Sequence, residues 1–136
     1  ELKEKRERVI DAINATKAAS EEGIVAGGEI TLLNIANSLQ NGTLGERILK
    51  EAIKQPFKRI IENSGIDYAE VREKMSGHVY PEGIDVIDGQ IKNLIKAGII
   101  DPVKVTRCAL ENAVSIACVT MTTNTLITDI IEIKDK

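Results

Sequence analysis

Residues 24–28, Ile24-Val25-Ala26-Gly27-Gly28, set an apolar run directly against two adjacent glycines, with Gly23 just ahead of it. Glycine is required where the backbone takes φ > 0, or where another body must come closer than a Cβ allows. The second use is chemical, because it lets main chain press against a ligand. Asp101 followed by Pro102 is the pattern of a helix N-cap with proline at the first helical position. Asp11, read from its surroundings alone, is a solvated carboxylate on a charged helix. Cys108 and Cys118 are ten residues apart in one helical stretch, which separates them by about 15 Å and turns them about 80° apart. A disulfide tolerates only about 7 Å between Cα atoms, so buried free thiols are expected. His78 is the sole histidine and reads as a loop residue in "SGHVYPEG"; no zinc set can be assembled around it.

The composition narrows the function classes. A chain of 136 residues is one domain in size and buries roughly 68% of the surface its unfolded form exposes. Net charge is −3 with acidic and basic residues interleaved, and no basic stripe invites a phosphate backbone. Phe57, Tyr68 and Tyr80 are the whole aromatic complement. The core must therefore be built from Ile, Val, Leu and Ala, and base-stacking platforms are missing. Nucleic acid is not expected as a partner. No apolar run approaches the ~20 residues of a membrane span, and "ELKEKRER" lacks a secretory h-region, so a soluble, unexported chain without membrane contact is expected.

The elements that must position these residues are mostly helical. Leu2 to Glu22 reads as a moderately amphipathic helix stopped by Gly23, and Ile30 to Leu39 as a second closed by Asn41-Gly42. Thr43 with Glu46 forms a capping-box pattern ahead of a third helix. Pro56 then forces a kink or restart before a segment ending near Asn63. Asp67 starts a short helix to about Met75, and "SGHVYPEGIDVID" reads as a loop with a short β element. A helix is expected from about Gly89 to Ala97, stopping at Gly98. Another is expected from Pro102 to about Thr123, apolar nearly all round and so central in the domain. The β-branched tail "TLITDIIEI" reads as a strand, Thr125 to Ile133, without a partner of its own. The fold class is mainly α: a helical bundle with a small β element and a C-terminal strand.

Three segments in this order, "RVIDAINATKAASEEGIVAGG" at 8–28, "AGIIDPVKVTRCALENAVSIA" at 97–117 and "TLITDI" at 125–130, resemble the C-terminal part of the GroEL-type (group I) chaperonins. With the intervening helices the similarity spans essentially the whole chain. It implies that residues 1–22 are a helix of the intermediate domain and 23–136 the C-terminal portion of the equatorial, ATP-binding domain, roughly a quarter of a full chain.

The resemblance also implies roles. Gly23 matches the hinge about which the intermediate domain swings, and Gly27 and Gly28 match backbone that closes around nucleotide. Asp11 matches the carboxylate that positions the attacking water, a credible requirement because phosphoryl transfer is mostly positioning and charge stabilisation. Asp101 matches the contact to the ribose hydroxyls, and Asp85, Val86 and Ile87 the stretch bordering the adenine. Lys58 and Asp67 fall where the two rings touch, and the terminal strand matches one shared with a neighbouring subunit. Glu29 departs from the pattern, which usually has a third glycine there.

ATP is the implied cofactor, with its magnesium ligands supplied by an N-terminal equatorial half whose "GDGTT"-like loop does not occur in these residues. Ring subunits are the implied partners, with client proteins and co-chaperonin engaged through domains these residues do not include. The family protein is an ATPase, and the isolated chain is expected to be inactive. Bacterial cytoplasm or an organellar matrix or stroma is the expected compartment. The competing reading is a helical assembly or interaction module without ATPase activity, favoured by Glu29 and the altered loop before Asp85.

Overall fold

The computed structural model describes residues 1–125 and Ile127. The chain runs α1 (Leu2–Glu22), β1 (Ile24–Ala26), α2 (Ile30–Ser38), α3 (Leu44–Ala52), α4 (Gln55–Asn63), α5 (Tyr68–Lys74), β2 (Glu82–Asp85), β3 (Gln90–Asn93), β4 (Ile100–Pro102) and α6 (Val103–Thr122). The mainly helical fold is as expected. Local signals act where they are read. Gly23 ends α1 at φ 84°, and Thr43 and Glu46 close a complete capping box on α3. Pro56 sits in the first turn of α4, which makes it a restart rather than a kink. Asp67 caps α5 by accepting the Ala69 N–H at 2.7 Å.

Two antiparallel ladders organise the rest. β1 pairs with β4, Val25 opposite Asp101 and Ala26 opposite Ile100. β2 pairs with β3, Ile84 opposite Ile91. Ala26, Ile30, Phe57, Ile61, Val71, Ile84 and Leu94 form one buried cluster that draws β1, α2, α4, α5 and the hairpin together. Phe57 and Tyr68 meet edge to face, ring centroids 6.3 Å apart. This geometry is favourable because the positive ring edge faces the negative π cloud.

Four expectations are corrected. The segment from Gly89 to Ala97 is a strand followed by one helical turn. Gly89, at φ 68°, donates its N–H to the Asp85 carbonyl at 2.8 Å and folds β3 back onto β2. The expected stop at Gly98 holds, but it closes only the turn whose Ala97 N–H reaches the Asn93 carbonyl. Asp101 does not cap α6: pairing with β1 holds residues 100–102 extended, Pro102 takes the cap position without a side-chain bond, and the helix starts at Val103. α6 is not central, since none of its residues is buried. Its main neighbours are α1 and β4, too few to cover a helix that is apolar nearly all round. The thiols, for the same reason, are free but not buried: Cys108 is half-buried and Cys118 exposed. The expected strand from Thr125 to Ile133 lies outside the described residues apart from Thr125 and Ile127.

Candidate functional site

The β1–β4 ladder builds one locus from distant parts of the chain. β1 leaves Gly23, the residue that ends α1, and its end is fixed on three sides. The Ala26 N–H donates to the Tyr80 hydroxyl at 3.1 Å, the Ala26 carbonyl accepts the Thr31 hydroxyl at 2.8 Å, and the Gly27 N–H donates to the Ile99 carbonyl at 2.9 Å. A turn through Gly27, Gly28 and Glu29 then enters α2. Asp101, half-buried on β4, stands across the ladder from Val25.

The paired glycines do different jobs. A Cβ on Gly27 would lie 3.0 Å from the Ile100 nitrogen and 3.1 Å from the Ile99 carbonyl carbon, so its missing side chain makes room for the chain's own backbone. Gly28, at φ 64°, has nothing within 4 Å of where a Cβ would stand, and its outer face is open. Of the two, Gly28 leaves main chain free for close approach by a ligand. Glu29 follows in the left-handed conformation, φ 60° and ψ 13°. Its Oε2 is buried without a hydrogen-bond partner. Burial, and then the nearby Asp101 charge, hold its carboxyl above the usual range.

The remaining candidates are dispersed. Asp11 is exposed on α1, a helix without buried residues. Asp85 has both oxygens engaged, one accepting the Lys92 ammonium at 2.7 Å and the other the Ile87 N–H at 3.0 Å. Lys92 above all, and then that N–H, hold its carboxyl below the usual range. Lys92 also bonds Asp88 at 2.7 Å, so the three residues lock the β2–β3 hairpin. Val86 packs on the core edge, whereas Ile87 at the hairpin tip is 91% exposed. Lys58 on α4 lies 5.7 Å above the Tyr68 ring and 3.6 Å from Glu62, and Asp67 is committed to its cap. His78 is a loop residue paired with Glu82 at 2.7 Å. Among the described residues no group of three or more His, Cys, Asp or Glu side chains is placed to hold a metal ion. No described helix is long and apolar enough to cross a membrane.

Sequence reasoning missed the groups that brace the junction at Gly23. The Val103 N–H donates to the Gly23 carbonyl at 3.1 Å. Beside it Lys104 pairs with Glu21, and Arg107 grips Glu22 with two bonds at 2.6 and 3.0 Å while also holding Glu111. No local signal could reveal contacts spanning eighty residues or more. The Arg107 hydrogen bonds hold the Glu22 carboxyl below its ordinary 4.5. A depressed carboxyl contributes its tether fully above that ordinary value and loses it as pH falls through the folded value. Hydrogen exchange at the Glu22 and Gly23 amides is therefore expected to accelerate in Arg107→Ala at neutral pH. The difference should start to shrink as pH falls below 4.5 and vanish once Glu22 is protonated in the folded protein, or in high salt, which screens exposed pairs.

The family model described as the TCP-1/cpn60 chaperonin family matches residues 1–130. Among solved structures, a group III chaperonin in the open state is 27% identical with a TM-score of 0.71, over 81% of this chain and 25% of that one. The chain thus spans about a quarter of the solved chain it matches. With the turn after Gly23, the glycine pair and the Asp-Pro strand all inside one match that omits only the last six residues, this chain belongs to the TCP-1/cpn60 chaperonin family.

Proposed function

We propose that this chain forms one wall of the ATP site of a protein-folding chaperonin of the group I type, together with the hinge that couples nucleotide to domain movement. The observation that carries the reading is the β1–β4 ladder, which sets the open Gly28 face and the Asp101 carboxyl at one locus directly beyond Gly23. Residues 1–22 act as the intermediate-domain helix and 23–136 as equatorial domain. Gly28 lets main chain approach the nucleotide, Gly27 secures the turn against Ile99 and Ile100, and Asp101 accepts hydrogen bonds from the ribose hydroxyls.

Asp11 aims the attacking water once α1 swings about Gly23. The β2–β3 hairpin borders the base through Val86 and Ile87, with Asp85 acting on the hairpin's shape through Lys92 rather than on the nucleotide. The residues present fit a nucleoside and leave the phosphates and magnesium to an N-terminal equatorial half. ATP with magnesium supplies the free energy that drives closure. Lys58 and Asp67 contribute to contacts between rings, and other subunits, client proteins and co-chaperonin are the partners of the complete protein.

Calorimetric titration of ATP into the chain, alone and with an N-terminal equatorial half added, tests the reading. Binding is expected only with the second half present. Absence of binding in both cases would leave a helical assembly module without ATPase activity as the better account.

A further inference from the structure

Glu29 combines three unfavourable features at the turn just assigned to the nucleotide. Its backbone is left-handed, which L side chains seldom adopt. One carboxylate oxygen is sealed from solvent without a donor. Its charged neighbour, Asp101, has the same sign. Nothing else on the elements packed around the turn offsets this, because neither β1 nor α2 carries a charged residue.

The backbone cannot relax, since Gly27 is bonded to Ile99 and the buried Ile30, Leu32 and Ala36 fix α2. The side chain can. Turned inward it is tolerated as the neutral acid, because a buried, unpaired carboxylate is costly. Once its proton has left to solvent, hydration favours the outward orientation, beside the open face of Gly28.

We propose that Glu29 regulates the nucleotide site as a built-in competing anion: protonated and inward it leaves the Gly28 face clear, ionised and outward it repels an incoming polyphosphate. The inference rests on the nucleotide reading above and goes beyond it by assigning a pH-dependent brake to one residue. Burial under the turn and the Asp101 charge both act to keep the inward, neutral form populated.

The test is ATP affinity of the complete subunit, followed from about pH 8 downward through the carboxylate range for as long as the subunit stays folded, compared among wild type, Glu29→Gln and Glu29→Gly. Glutamine keeps the size and removes the charge, and glycine removes the left-handed strain, so one variant covers for the other if either folds poorly. Wild type is expected to lose roughly fivefold or more in affinity relative to both variants as pH rises, and to converge with them at the acid end. Identical affinities and pH profiles in all three proteins overturn the brake while leaving the nucleotide reading intact. If none of the three binds ATP at any pH, the nucleotide reading itself fails and the brake with it.

Discussion

Asp11→Ala in the complete subunit is expected to bind ATP with unchanged affinity and to hydrolyse it about 10²–10⁴-fold more slowly, the range by which a positioned general base accelerates a reaction. The separation of binding from turnover follows from where the residue stands. Asp11 lies twelve residues before Gly23 on an unbroken helix, which puts it roughly 18 Å from Gly23. Each ~10° of rotation at Gly23 would therefore carry its carboxyl through roughly 3 Å. In the conformation described it is exposed, and loss of its carboxylate is not expected to weaken ground-state binding. Asp11→Asn keeps the shape and removes the acceptor charge, and should show nearly the same loss. Single-turnover hydrolysis beside equilibrium ATP binding checks both halves of the expectation, and wild-type turnover in either variant removes Asp11 from the reaction.

Gly27→Ala separates the two reasons for a glycine pair. Replacing glycine by alanine ordinarily stabilises by about 0.4–1 kcal/mol through the unfolded chain, provided the native conformation accepts a Cβ. At Gly27 the Cβ would press on Ile99 and Ile100 main chain at 3.0–3.2 Å, and that backbone is held by the ladder itself. The neighbour can yield only by stretching the Gly27–Ile99 hydrogen bond in a pairing just three residues long. Overpacking of this kind costs about 1–3 kcal/mol, enough to outweigh the entropic gain. The unfolding free energy should fall by the excess of that cost over the gain, with or without nucleotide, with faster hydrogen exchange at residue 27, whose amide holds the Ile99 carbonyl. An unchanged midpoint with weakened ATP binding would instead return the close approach at Gly27 to the ligand.

Local pattern and resemblance read the Gly28–Asp101 locus differently. Read locally, Asp101-Pro102 is a helix cap, whereas the resemblance implies a ribose contact for Asp101. The structure removes the cap, because pairing with β1 holds Asp101 extended and leaves its carboxyl uncommitted to α6. For Asp85 the local environment works the other way, with Lys92 and the Ile87 N–H taking both oxygens. Glu29 was visible as a departure from the family pattern. Its left-handed backbone and its buried oxygen were not, since both depend on how Gly27 docks against Ile99.

What the amino-acid order determined by itself is what interactions within about four residues decide. The stop at Gly23, the Thr43–Glu46 box, the restart at Pro56 and the Asp67 cap are each local competitions for backbone hydrogen bonds, and their winners can be read directly. Only the tertiary structure decided that Gln90–Asn93 is a strand, that Tyr80 holds the Ala26 amide across 54 residues, and that Arg107 grips Glu22 across 85. In each of these the local preference is weak or points elsewhere, and the free energy comes from pairing and burial contributed by a distant segment. The lack of burial on α6 belongs with them: apolar composition sets what a helix would gain by being covered, while the neighbouring elements set how much of it is covered.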